Sequence, residues 1–193
     1  MLTRASPRVP AHTRTLVFQG YARDDGLWDI EASLLDVKHY RFTADRGVLE
    51  PGDPVHSMVL RITIDNTLTI RSIEASMNVA PFAECQAVRP ALQKMVGAQM
   101  GPGWRRAIEQ ALGGVAGCTH LRELLFNAAT AAYQTVPHYQ EIRRKTAGLP
   151  PLESYEPPYH MGKCLAWDFD GPVVRRIAPQ FAGRKRATTP EDR

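Results

Sequence analysis

Few side chains in this sequence could carry chemistry. It has three cysteines, Cys85, Cys118 and Cys164, an odd number at wide spacing that does not form a disulfide framework. The run GVAGCTHLRELLFNAATAAY sets Cys118 between a glycine-rich turn and His120, at the expected first turn of a long helix. A helix N-terminus carries roughly half a positive charge and eases ionisation of a thiol placed there. His56 opens a strand pattern, and Cys85 follows a strand and precedes a helical pattern. Element ends are where side chains from distant segments converge. Two thiolates with one or two imidazoles suit Zn²⁺, with iron as second choice. His56, Cys85 and Cys118 are therefore the expected metal ligands, and Cys164 is a candidate to join them. His120 either closes the site as a fourth ligand or moves protons as a catalytic group. Glu123, three residues on and on the same helical face, is its expected carboxylate partner. No C-x-x-C pair is present, so inert, buried cysteines are the competing reading.

These residues need a scaffold, and 193 residues suffice for one domain with a real core. Residues 1–13 hold Pro and Arg without periodicity and are expected to form a flexible arm. The segment LVFQGYARDDGLWDIEASLLDVKHYRF predicts two strands around the turn Asp24-Asp25-Gly26, with Trp28, Ile30, Ala32 and Leu34 on one face. RGVLEPGDP is expected to be a loop. HSMVLRITID alternates Met58, Leu60, Ile62 and Ile64, and after a turn at Asn66 LTIRSIEASM alternates again. The period then changes. CQAVRPALQKMVG and GPGWRRAIEQALGG predict two helices, with Trp104 as a core anchor. CTHLRELLFNAATAAYQTV predicts a longer one with Leu121, Leu124, Leu125, Ala128 and Ala132 in a stripe, followed past Pro137 by a short helical piece. The connector GLPPLESYEPPYHMG is expected to be extended. KCLAWDFDGPVVRRIAP predicts a short hairpin around Asp170-Gly171. The expected fold is α+β: an antiparallel meander of about four strands, then about three helices packed on it over 14–136. An extension over 137–181 is expected to pack back on this domain, with a disordered tail over 182–193.

Composition limits the partners. No apolar run reaches membrane-spanning length and no secretory signal is visible, so a reducing, cytoplasmic setting is expected. The formal net charge is +4, gathered in EIRRKTAG, VVRRIAP and AGRKRATTPEDR without interleaved aromatics. That argues against nucleic acid and for solvated surface or attraction of a cofactor's phosphates.

Two resemblances bear on function. GDPVHSMVLRITIDNTLTIRSIEASM, FAECQAV, LQKMVG and AGCTHLRELLFNAATAA, spanning about 52–134, resemble iron–sulfur scaffold proteins of the NifU/IscU type. That likeness implies three ligand positions, here His56, Cys85 and Cys118, and an iron–sulfur cargo. His56 replaces the family's first cysteine and Met58 stands where many scaffolds have aspartate, both departures from cluster assembly. YARDDGLWDIEASLLD, HSMVLRITID, GPGW, GCTHLREL and KCLAWDFDGPVV, spanning about 12–180, resemble a bacterial family known as a domain of unknown function. This second likeness implies a setting in aromatic-acid and coenzyme-A catabolism.

Three functions compete. A His-Cys-Cys site with a position open to water suits a zinc-dependent hydrolase of small acyl esters or thioesters, aryl- or acyl-coenzyme A among them. Arg143, Arg175 and Arg176 would draw the phosphates of such a substrate. The alternative is a non-catalytic iron–sulfur or metal carrier. The third is an interaction module whose cysteines are simply buried.

Overall fold

The computed structural model describes residues 1–150, 157–158 and 160–184, in two compact units, Met1–Ile142 and Arg143–Arg193. The connector residues 151–156 and 159, and residues 185–193 of the expected tail, lie outside the described residues.

The first unit is α+β. Strands β1 (His12–Ala22), β2 (Trp28–Lys38), β5 (Pro54–Ile64) and β6 (Ile70–Val79) form an antiparallel sheet in the order β1-β2-β5-β6. Strands β3 (Phe42–Ala44) and β4 (Gly47–Leu49) make a separate two-stranded ribbon between β2 and β5. A 3₁₀ segment (Ala83–Met95), helix α1 (Trp104–Leu112) and helix α2 (Thr119–Thr146) come next.

Alternation explains the sheet. Trp28, Ile30, Ala32 and Leu34 on β2 and Met58, Leu60, Ile62 and Ile64 on β5 are all essentially buried. They meet Leu121, Leu124, Leu125, Ala128 and Ala132 of α2 in one core. Trp104 anchors α1 there, its indole N–H donating to the Leu125 carbonyl at 3.1 Å. The β1–β2 turn forms at Asp24-Asp25-Gly26, where Gly26 takes a positive φ of 85° that a side chain would oppose. Arg23 clamps this turn by pairing with Asp25 and Asp29.

Several local expectations need correction. β1 takes in His12 and Thr13, which were expected to belong to the arm. The expected loop RGVLEPGDP contains β4. β6 does not alternate throughout: its register with β5 slips between Thr63 and Ile64 and again between Ser57 and Met58, so Arg71 and Asn78 are extra residues and the inward set runs Ile70, Ile73, Ala75, Met77. CQAVRPALQKM winds as a 3₁₀ segment around Pro90, not as an α-helix. α2 does not stop at Pro137 but runs through it to Thr146, with Val136 buried beside it.

The second unit contains no hairpin among its described residues. It has a 3₁₀ turn (Leu165–Trp167), helix α3 (Pro172–Ile177) and a 3₁₀ turn (Pro179–Phe181). The expectation of strands overlooked two helix signals. Pro172 stands at a helix start, where its locked φ is pre-set. Val174, Ala178 and Phe181 are spaced four and three apart, and they are buried with Met161 and Phe169. No helix among the described residues is long and apolar enough to cross a membrane.

Candidate metal centre

The inward faces of three strands end in polar residues. On β2 the inward series Trp28, Ile30, Ala32, Leu34 continues into Asp36. On β5 His56 precedes Met58, and on β1 Arg14 precedes Leu16. The sheet register places Arg14 opposite Asp36 and Asp36 opposite His56, so the three line up across one end of the core face. α2 lies over that face and contributes His120 and Glu123 from its first turns.

Asp36 is the centre of this group. Its side chain is 3% exposed, and a carboxylate so buried must be matched by donors. Arg14 supplies two, Nε to Oδ1 and Nη2 to Oδ2, both at 2.8 Å. His12 Nε2 lies 2.9 Å from Oδ1 and His56 Nδ1 lies 3.0 Å from Oδ2. Burial alone would push the carboxyl's pKa up, but the hydrogen bonds from Arg14 and His12 outweigh it, and the pKa falls below the ordinary value. Asp36 is thus a held anion.

The imidazoles of His56 and His120 stack at 4.0 Å between centroids. His120 Nε2 is 3.9 Å from Asp36 Oδ2, and its Nδ1 faces the Cys118 sulfur at 3.7 Å. Burial lowers both histidine pKa values, for His56 against the pull of Asp36, for His120 with repulsion from Arg14 and from His56 whenever that ring is protonated adding to it. Both rings are therefore neutral at physiological pH and keep a nitrogen lone pair. Arg14 reaches on from Asp36 to Glu123, its Nη1 2.5 Å from Oε2.

One potential ligand atom each from Asp36, His56 and His120 lie within 4.8 Å of one another. In a tetrahedral zinc site with bonds of about 2.0–2.1 Å the ligand atoms stand about 3.3 Å apart, so modest side-chain rotation would close this group on an ion. A carboxylate with two neutral imidazoles is a donor set that Zn²⁺ or Fe²⁺ accepts, and the residues present fit such an ion.

The expected ligand His56 and His120, expected either as a fourth ligand or as a proton carrier, thus meet. Cys118 sits beside them, at the residue before α2, where its carbonyl accepts the Arg122 amide at 3.0 Å. Cys85 lies in the first turn of the 3₁₀ segment and packs, half-buried, on the apolar core outside this group. Cys164 is exposed in the second unit. Glu123 pairs with Arg14. The sequence reading missed Asp36, Arg14 and His12. The signal was available for Asp36: it continues an inward-facing alternation where an apolar residue is due.

Residues 12–134 match the model of a family described as a protein of unknown function (DUF2889). No curated protein and no solved structure matches the chain.

Proposed function

The chain belongs to the DUF2889 family of proteins of unknown function, and on that footing we propose that it is a metal-dependent hydrolase of small acyl esters or thioesters, centred on Asp36, His56 and His120. What carries the reading is the convergence of a buried anionic carboxylate and two neutral imidazoles at the end of the sheet's core face. A divalent ion there, Zn²⁺ first, would polarise an acyl carbonyl and ease deprotonation of a water at its open position.

The chain's own residues divide the remaining work. His56 and His120 offer lone pairs, because desolvation keeps protons off them. Asp36 supplies negative charge, and Arg14 holds its carboxylate in one orientation while tying it to Glu123. Glu123, which Arg14 ties to Asp36, would take the proton of an attacking water and then return it to the leaving group. Cys118 is placed to accept the His120 Nδ1–H and leave Nε2 free for the centre. The carrier alternative draws less support, since Cys118 is the one thiol beside the group among the described residues. Aryl- and acyl-coenzyme A thioesters are the substrates to try first.

Elemental analysis of protein purified without chelator or nickel resin tests the centre, with about one zinc or iron per chain expected. Hydrolysis of a panel of nitrophenyl esters and acyl-coenzyme A thioesters then tests the reaction. Full metal retention by a triple Asp36→Asn, His56→Ala, His120→Ala variant would overturn the assignment, as would a metal-loaded protein inert on every ester and thioester.

A further inference from the structure

The two edges of the four-stranded sheet are treated differently. The outer edge of β6 is covered by the 3₁₀ segment and the turn after it. Gln86 and Gln93 donate their side-chain amides to the Met77 and Ile73 carbonyls at 2.7 and 2.8 Å, and Ile70 exchanges backbone bonds with Gly97 and Ala98, both at 2.9 Å. The outer edge of β1 has no such cover. β1 pairs with β2 alone, and among the described residues no backbone–backbone bond reaches its other side. It is 11 residues long, carries no proline, and keeps its register with β2 without a bulge. Folded proteins blunt long strand edges with those devices, because a row of unpaired N–H and C=O groups recruits another strand.

We propose that β1 pairs antiparallel with β1 of a second copy of this chain, across a two-fold axis at Val17. Such an axis keeps each residue on its own face, so it must pass through a residue, and Val17 is the centre of His12–Ala22. All 11 residues then pair, along about 37 Å of edge. On the inward face Leu16 meets the partner's Phe18, and Arg14 meets the partner's Gly20, which adds no side chain of its own at a position that Thr135 of α2 covers. On the outer face Val17 meets its own equivalent and Thr13 meets Tyr21, pairs of the β-branched and aromatic kind that stabilise sheets. No like charges face one another. Beyond the strand, the same register would set Arg8 opposite the partner's Gly26, two positions from Asp24 in the partner's β1–β2 turn. Arg8 and Asp24 are both exposed, and among the described residues neither forms an ion pair within its own chain. This charge match favours a second copy over an unrelated extended peptide.

Sedimentation equilibrium on the full chain tests the pairing. The wild type should show about twice the 21.5 kDa chain mass. Val17→Lys sets two ammonium groups opposite each other at the axis and should raise the dissociation constant about fivefold or more. Val17 is 45% exposed, so the far-UV spectrum and melting temperature of that variant should hold. Arg8→Asp should weaken the dimer, and adding Asp24→Arg should restore it. A wild type that is monomeric at all concentrations, a Val17→Lys variant as dimeric as the wild type, or a double variant without rescue would overturn the proposal. Metal content of the same samples should not move, so failure here is distinct from failure of the metal centre.

Discussion

Gly20 of β1 lies directly beneath Thr135 of α2: a Cβ built on Gly20 would stand 1.9 Å from the Thr135 hydroxyl oxygen and 2.5 Å from its methyl carbon. Thr135 cannot easily swing away, since its hydroxyl donates to the Ala131 carbonyl at 2.8 Å. The glycine thus sets how closely α2 approaches the sheet, and α2 carries His120. Gly20→Ala should destabilise the protein by about 1–3 kcal/mol, as overpacking does. Adding Thr135→Ala should recover most of that loss in urea denaturation. Equal stability of Gly20→Ala and wild type would show that the helix can shift at no cost.

The metal reading predicts ligand-linked stability. An ion that binds only the folded chain at a hundred times its dissociation constant adds about 2.7 kcal/mol. Chelator should therefore lower the melting temperature of wild-type protein and leave a His56→Ala, His120→Ala variant unmoved. Calorimetry with and without chelator makes the comparison.

Asp36→Asn tests a different element, the anion that Arg14 encloses. Removing the charge leaves a partly buried guanidinium facing a neutral amide. Breaking a buried pair costs about 3–5 kcal/mol, and the partial exposure of Arg14 scales this to about 2 kcal/mol. Asp36→Asn should thus cost more than His12→Ala, which removes only one of several donors.

The lowered histidine pKa values predict the sign of a pH effect in metal-free protein. Between the folded values and the ordinary 6.5, the unfolded chain binds more protons at His56 and His120 than the folded one. Their contribution is complete above pH 6.5 and is lost as pH falls below it. The urea midpoint should drop on acidification across this range, and less so in a His56→Gln, His120→Gln variant.

Asp65 acts further into acid. Burial works against its charge, yet the Thr67 hydroxyl, the Thr69 and Thr67 amides and Arg71 bring its pKa down to about 2. The folded pKa is depressed, so its stabilisation is present above the unfolded value near 3.8 and lost as pH falls towards 2. That contribution is on the order of 2 kcal/mol. Asp65 also builds the β5–β6 turn in which Leu68 holds a φ of 63°. Asp65→Asn should be less stable than wild type at pH 7, and the gap should close by pH 2.

The strands and helices of the first unit are legible in the sequence because burial on one face imposes a period. Trp28 through Leu34, Met58 through Ile64 and the Leu121–Ala132 stripe could hardly lie otherwise. Where a local signal competed, the reading failed: the bulge at Arg71 broke the alternation, Pro137 did not end α2, and Pro172 began a helix where strands were expected.

The sequence alone determined that His56 and His120 stand at element ends and that the fold is a meander with helices on it. Only the tertiary structure decided what they stand next to. Strand register put Arg14 and Asp36 beside His56, across chain separations that leave no trace in local spacing. Helix docking over Gly20 then brought His120 to the same carboxylate. Periodicity is a property of neighbours along the chain, whereas a binding site depends on register between strands and on how closely a helix approaches them.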